Sequence, residues 1–399
     1  MRLLLLWVLL LSWCSKSYGA EIQSGDIAIV LPPTGGFKIP ADEPYFSPKW
    51  LDRVDELFRQ TSVGDAFLKE SARSSWRLVS MRIAPCQPLL PFLSDLNQTL
   101  CEAEIRLVWQ PIQEIRERGL RTYYADDRAI HALYRVDGGS VLSPDEAGEY
   151  TFLQSRSLTL SESERSNYGA LHKKVVHGLT VELLNLRGLT SDGAYISIEE
   201  RPEFGTFRSA KSFIHRLQAF LQKRAQLESL KELTAFSLPE GRQPPLLDDW
   251  VFGDFYPAAG GLDLAPRNIL LQSRKDGRTL FDYGPFMNAT MRFDDERLHK
   301  ALDTLPADDV SEIEEAVLLA PRSPAPKKDA IANRLSTHVG HTSCASCHKL
   351  KSPPFDFHNF SYFEDRPLIP SPRVEEDVAL DLEWLRANIS SGRHSIDQH

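Results

Sequence analysis

The sequence predicts an α+β fold, with antiparallel strands and several helices over residues 21–320 and a small, mostly helical segment over 329–399. Three patterns predict this fold. The run 77–83 alternates apolar and polar residues with the period of a half-buried strand. Apolar residues between 171 and 183 recur at the spacing of one helix face. The Asp-Gly pair at 276–277 separates two strand-like runs, which is typical of a tight antiparallel hairpin.

The first predicted helix begins at Ser47 and Pro48, because serine suits the N-cap position and proline suits the first helical turn. A second helix is predicted from Ser161, since Glu164 lies three residues further on and completes a capping box. Residues 207–235 carry a third helical pattern. The middle of the chain is therefore expected to be largely helical, before the hairpin around Asp-Gly.

Two cysteines lie between the strand-like runs 77–83 and 105–109. Cys86 and Cys101 form an even pair, which in an exported chain predicts a disulfide that staples the two strands. Two buried free thiols are the alternative, because unpaired cysteine is among the most frequently buried residue types.

Residues 1–20 are typical of a signal peptide. Arg2 supplies a positive charge, and residues 3–11 form an apolar run too short to span a bilayer. We therefore expect export, to a bacterial periplasm or an equivalent compartment. Cys14 resembles the cysteine of a lipid-attachment site, but the bulky Trp13 stands where a small residue belongs, so we expect no membrane anchor at Cys14.

The composition narrows the classes of partner. Of the 399 residues, 42% are hydrophobic and 25% are charged, which is ordinary for a globular protein. The net charge is −9 and no basic stripe occurs, so we expect no nucleic-acid partner. Beyond the signal peptide no apolar run reaches 18 residues, so we expect no transmembrane segment in the mature protein.

Residues 321–328 contain three prolines and three basic residues, a composition typical of an extended linker. This linker divides an α+β region of unassigned function, 21–320, from the C-terminal segment 329–399. A helix is predicted near the end of that segment, because Val374, Val378, Leu382, Leu385 and Ile389 are spaced as an amphipathic stripe.

The strongest chemical signal is the run Cys344-Ala345-Ser346-Cys347-His348. It has the C-x-x-C-H pattern by which a c-type haem is attached. Two thiols at this spacing add to the two vinyl groups of one porphyrin, and the adjoining histidine then binds the iron as an axial ligand. The alternatives are a simple disulfide, a zinc site completed by a fourth ligand, and a chance match.

On this motif the C-terminal segment resembles the c-type cytochromes. The resemblance covers the motif and, loosely, residues 349–399, whereas nothing before about residue 325 resembles a family. It implies one covalent haem c, held by Cys344 and Cys347 with His348 on the iron, a redox partner protein, and a helix that packs near the haem. The chain departs from the usual pattern, because no methionine follows His348 to serve as the second axial ligand.

The second axial ligand is therefore open. His358 lies within an aromatic cluster and is the first candidate. His338, His341, Met287 and Met291 are candidates upstream of the motif, and an open or water-bound position is a further alternative.

Three functions are consistent with the sequence. The first is an exported protein that transfers electrons through one haem. The second is a periplasmic haem-dependent oxidoreductase with a substrate site somewhere in residues 21–320. The third is a secreted, non-redox binding protein in which Cys344 and Cys347 form a disulfide. The sequence identifies no catalytic residue.

Overall fold

The fold is organised around an antiparallel sheet. The computed structural model describes residues 21–32, 39–41, 44–59, 73–88, 101–117, 119–125, 128–156, 160–188, 194–198, 201–237, 251–258, 263–266, 269–275, 278–284, 286–288, 292–293, 370 and 372–389. Its strands are β1 Ala28–Val30, β2 Trp76–Pro88, β3 Cys101–Glu117, β4 Leu120–Ala125, β5 Ala129–Arg135, β6 Leu230–Ser237, β7 Val251–Pro257, β8 Leu264–Pro266, β9 Ile269–Lys275, β10 Arg278–Gly284, β11 Phe286–Asn288 and β12 Arg292–Phe293.

The main sheet has nine strands, and seven of them follow one another in the order β1-β2-β3-β5-β6-β7-β11. Strand β4 also pairs with the long strand β3, and β8 pairs with β7. A separate three-stranded sheet has the order β10-β9-β12. Every described pairing is antiparallel.

Six α-helices accompany the sheet in the described residues. They are α1 Ser24–Ile27, α2 Pro48–Arg59, α3 Pro144–Ser155, α4 Glu162–Leu184, α5 Phe207–Arg224 and α6 Pro372–Ile389. Side chains fix where three of them begin. Ser143 and Ser161 form capping boxes with Glu146 and Glu164, and Thr206 accepts a hydrogen bond from the backbone of α5.

One face of the main sheet carries the hydrophobic core. Trp76 of β2, Trp109 of β3 and Tyr134 of β5 are fully buried there, together with the apolar stripe of α4. The C-terminal helix α6 joins the same core through Val374, Val378, Leu382 and Leu385. It contacts β2, α1 and α4, so this helix is packed into the fold formed by the N-terminal half.

The other face of the sheet is polar yet buried. Arg77 of β2 pairs with Gln110 of β3. Further along the sheet, Thr234 of β6 pairs with His131 of β5 on one side and with Asp254 of β7 on the other. Arg77, Gln110, His131 and Asp254 are all buried, and each has an interaction partner, as buried polar groups require. A small apolar cluster of Val79, Val108 and Ile112 also lies outside the main core.

The α+β prediction is confirmed by this arrangement. The predicted hairpin is present, since β9 and β10 pair with Lys275 opposite Arg278. The predicted helix over 207–235 is too long, because α5 ends at Arg224 and Leu230–Ser237 is strand β6. The signal peptide 1–20 and the linker 321–328 lie outside the described residues, so the proposed domain boundaries stay predictions. A C-terminal helix is present, and its likeness to a cytochrome helix also stays a prediction.

Candidate functional site at a buried disulfide and histidine

The disulfide between Cys86 and Cys101 joins strands β2 and β3. The two residues are 15 positions apart in sequence, and their Cα atoms are 4.9 Å apart, within the range that a disulfide spans. Strand β2 has an irregular register between Ala84 and Gln87, and pairing resumes with Gln87 opposite Glu102 and Pro88 opposite Cys101. Both cysteines are buried. The disulfide prediction is therefore confirmed, and the bond lies inside the fold.

Helix α4 places His172 directly against this disulfide. The helix begins at the Ser161 cap, and its buried side includes Tyr168, His172, Val175 and Val176. The Nε2 atom of His172 is 3.5 Å from Sγ of Cys101. Because the histidine belongs to the apolar stripe of the helix, its ring is directed toward the sheet and not toward solvent.

The hydrogen bonds of His172 define its protonation. Its Nε2 atom lies 2.9 Å from the carbonyl oxygen of Pro85, which can only accept, so Nε2 donates the proton. Its Nδ1 atom lies 3.0 Å from the hydroxyl of Tyr150 and accepts from it. Burial lowers the pKa of His172 to about 4, against smaller upward effects of the Pro85 hydrogen bond and of the Glu102 carboxylate. The imidazole is therefore neutral at neutral pH.

Aromatic rings enclose the histidine on several sides. Tyr150 of α3 and Tyr168 of α4 stack with ring centroids 5.3 Å apart, and Tyr168 stacks on His172 at 5.8 Å. Trp384 of α6 meets the His172 ring edge-on at 5.8 Å. The Tyr168 hydroxyl donates to the carbonyl oxygen of Cys101 at 2.8 Å. Burial raises the pKa of both tyrosines well above the usual range, so they stay protonated.

A buried ion-pair network holds the C-terminal helix next to this cluster. Nη1 of Arg82 in β2 lies 2.7 Å from Oδ2 of Asp377, and Nη2 of Arg82 lies 3.9 Å from Oδ2 of Asp381. Arg373 binds Asp377 from one turn earlier in the helix, at 3.1 Å. Burial by itself lowers the pKa of Arg82, but the two carboxylates more than offset this effect and raise it. The arginine is thus firmly charged, and α6 is fixed on β2.

This site places two sulfur atoms and an imidazole ring among buried polar and aromatic side chains. The Sγ atoms of Cys86 and Cys101 and a ring nitrogen of His172 all lie within 4.8 Å of one another. Sulfur and imidazole nitrogen are the donor atoms that zinc prefers. In the disulfide form the two sulfurs are bonded to each other, so the same three residues act as a structural link between β2, β3 and α4.

The residues predicted to bind haem lie outside the described part of the chain. These are Cys344, Cys347 and His348 of the motif, and His358 as the possible second axial ligand. Among the upstream alternatives, Met287 lies in the described strand β11. Met291, His338 and His341 fall outside the described residues. The structure thus brings together only Cys86 and Cys101 of the predicted site residues.

Sequence reasoning missed the histidine and the aromatic rings around the disulfide. His172 and His177 are five residues apart and do not share a face: His172 is buried and His177 is exposed. The available signal was the position of His172 inside the apolar stripe of α4. Nothing in the sequence connects Tyr150 or Trp384 to that stripe, because both come from other helices.

Among the described residues, no helix has both the length and the apolar character needed to cross a membrane. Comparisons with protein-family models, with curated proteins and with solved structures gave no match.

Proposed function

We propose that this protein is an exported, mono-haem c-type cytochrome-like protein that passes single electrons to a redox partner protein. The observation that carries the proposal is the run Cys344-Ala345-Ser346-Cys347-His348. A covalently bound haem supplies a one-electron couple whose potential depends on its axial ligands, its burial and nearby hydrogen bonds.

Each residue of the motif has a separate role in this proposal. The thiols of Cys344 and Cys347 form the two covalent links, which keep the cofactor attached without a large binding pocket. His348 occupies one axial position through a ring nitrogen, and His358 is the first candidate for the other. A second histidine ligand favours a lower reduction potential than methionine would, because methionine ligation raises the potential.

The disulfide gives independent support for export. A disulfide between Cys86 and Cys101 is the form expected in an oxidising compartment and is rare in the cytosol. Covalent haem attachment to a C-x-x-C-H motif also takes place after export. The apolar N-terminal run within residues 1–20 acts as the export signal. The periplasm is the compartment consistent with the disulfide, the haem motif and this signal together.

A haem-stained denaturing gel tests the proposal. The protein is produced with its own N-terminus in a host that has a working haem-attachment pathway. The expected result is a stained band for the wild type and none for the double variant Cys344→Ala/Cys347→Ala. The matched control, Cys86→Ala/Cys101→Ala, removes the other cysteine pair and is expected to keep the stain.

An unstained wild-type band would contradict the proposal. If peptide mapping of that unstained protein then showed Cys344 linked to Cys347, the result would support a non-redox binding protein instead. A stained band whose iron is high-spin and takes up small ligands would favour a haem-dependent oxidoreductase.

A further inference from the structure

Three side chains of the types that bind metal ions lie close together in the described part of the chain. They are separate from the motif at 344–348. The Sγ atoms of Cys86 and Cys101 and a ring nitrogen of His172 lie within 4.8 Å of one another, and all three residues are buried. Nε2 of His172 is 3.5 Å from Sγ of Cys101. A thiolate sulfur and an imidazole nitrogen bound to one tetrahedral zinc ion lie roughly 3.5 Å apart, given the usual bond lengths. The distance between Sγ of Cys101 and Nε2 of His172 therefore equals the distance expected for two ligands of one zinc ion.

His172 shares one feature with metal-ligating histidines, which is a hydrogen bond at its second ring nitrogen. In metal sites the second ring nitrogen of a ligating histidine is usually held by a hydrogen bond, which orients the ring. Here Tyr150 holds Nδ1 at 3.0 Å, and Nε2 lies 2.9 Å from the Pro85 carbonyl oxygen and 3.5 Å from Sγ of Cys101. For Nε2 to bind a metal, the imidazole proton has to move to Nδ1, and the Tyr150 hydroxyl can then accept where it now donates.

We propose that the dithiol form of this protein binds one zinc ion through Cys86, Cys101 and His172, and that closure of the Cys86–Cys101 disulfide releases it. The site is distinct from the haem motif and does not rest on the proposed electron transfer. The dithiol form exists whenever the chain folds before its thiols are oxidised, so no reductant has to reach the buried bond.

The backbone around Cys86 is irregular, which is the place where the two sulfurs would separate. In a zinc site the sulfurs are bound to the ion and not to each other, so they have to move apart from their disulfide positions. Strand β2 is irregular between Ala84 and Gln87, which leaves Pro85 and Cys86 outside the regular ladder. The fourth position of the ion is left to a water molecule, as in zinc sites with three protein ligands.

The chemistry of the exchange balances. When zinc binds, the S–H bonds of both thiols break, two Zn–S bonds form, and two protons pass to water. When the site is oxidised by a disulfide compound, each sulfur gives up one electron, the S–S bond forms, and the ion leaves as Zn²⁺. The oxidant's own S–S bond breaks, and its sulfurs take two electrons and two protons to become thiols.

Metal titration of the purified chain tests the proposal. The background variant is Cys344→Ser/Cys347→Ser, because it removes the other cysteine pair, cannot carry covalent haem, and separates this test from the haem proposal. The protein is refolded anaerobically with a phosphine reductant and titrated with Co²⁺ and then Zn²⁺. We expect one tetrahedral cobalt with thiolate charge-transfer absorption, its displacement by one zinc in native mass spectrometry, and no metal on the oxidised protein.

Variants in the same background assign the ligands. His172→Gln removes a direct ligand and is expected to weaken zinc binding by more than roughly 100-fold. Loss of a residue that only hydrogen-bonds a ligand costs at most about that factor. Tyr150→Phe is expected to weaken it by roughly 10- to 100-fold, as an orienting partner. His177→Gln, an exposed histidine on the same helix, is the matched control and is expected to have no effect.

Reduced, folded protein that binds no zinc would overturn the proposal, as would zinc binding that His172→Gln leaves unchanged. If the reduced chain does not fold in the absence of metal, we expect added zinc to restore its native circular dichroism. A reduced chain that neither folds nor binds in the presence of zinc would contradict the proposal equally.

Discussion

His172 links three parts of the molecule through one neutral imidazole ring. It donates to the Pro85 carbonyl of β2 and accepts from Tyr150 of α3, while Trp384 of α6 packs against its edge. A charged imidazolium would place a second donor where Tyr150 donates, in a site without water access. The cluster is therefore stable only as long as the ring stays uncharged.

The stability of the folded protein should depend on pH through His172. Its pKa is about 4 when folded and 6.5 when unfolded, so between these values only the unfolded state takes up the proton. The free energy of unfolding should fall as the pH drops through this window, by about 3 kcal/mol in total. Urea unfolding at several pH values should show this loss in the wild type, and His172→Gln should lack it.

The exposed His177, on the same helix, supplies the control for that titration. His177→Gln should keep the full pH dependence of the wild type. Equal pH dependence in the wild type and in His172→Gln would show that the buried ring does not resist protonation.

The candidate axial ligand His358 is also tested at the scale of one residue. If His358 binds the iron opposite His348, His358→Ala should convert low-spin iron to high-spin iron while the haem stays attached. Absorption and electron paramagnetic resonance spectra measure the change. A wild-type spectrum that is already high-spin would contradict the assignment, and the far-red band of methionine ligation would point to Met287 or Met291.

At the scale of elements, the disulfide fixes the ends of β2 and β3 against each other. It closes a loop of 15 residues, which in the chain-entropy model is worth about 3 kcal/mol. The free energy of unfolding of Cys86→Ser/Cys101→Ser should therefore be lower than that of the wild type by about that amount, and the denaturant midpoint should be lower too. Wild-type protein treated with a reductant in the absence of metal should show a similar loss. An unchanged midpoint in both samples would show that the bond does not stabilise the fold.

Helix α6 depends on a buried charge pair as well as on its apolar stripe. Asp377→Asn removes the main partner of the buried Arg82, and breaking a buried ion pair on one side costs about 3 to 5 kcal/mol. We expect a loss of this size in denaturant unfolding, together with faster hydrogen exchange across Pro372–Ile389.

Glu383→Gln is the matched control for this helix, since Glu383 is exposed on its outer face. It should change the free energy of unfolding by less than about 0.5 kcal/mol. If Asp377→Asn were as mild as Glu383→Gln, the ion pair would not hold the helix in place.

Across the whole molecule, the sequence predicts those features whose cause is local. The helix start at Glu162 follows from its Ser161 cap, the start at Pro48 follows from the Ser-Pro pair, and the β9–β10 hairpin follows from its turn residues. The apolar pattern predicts a helix that continues to residue 235, but α5 ends at Arg224. The reason is that Leu230–Ser237 pairs as strand β6 between β5 and β7. Pairing between strands distant in sequence overrides such local periodicity.

The candidate site was only half predictable for the same reason. Cys86 and Cys101 are near each other in sequence and are of a type that pairs, so their bond could be expected. Arg82 and Asp377 are 295 residues apart, and the stripe on α6 gives no indication of the surface that it covers. An amphipathic pattern specifies that one face is buried, but it does not specify the partner.

Packing of α6 against β2 also bears on the proposed haem segment. The motif at Cys344–His348 lies between strand β12 and helix α6, and both belong to the described part of the chain. The motif is therefore connected to that part on both sides.

The most direct test of the central claim is the intact mass of the protein purified from the periplasm of a host with a haem-attachment pathway, measured after denaturation. The account predicts that the mature wild-type chain is heavier than its polypeptide by one haem. It also predicts that Cys344→Ser/Cys347→Ser has the mass of the polypeptide alone, while Cys86→Ser/Cys101→Ser keeps the added mass. A mature wild-type chain without the added mass of haem would contradict the account.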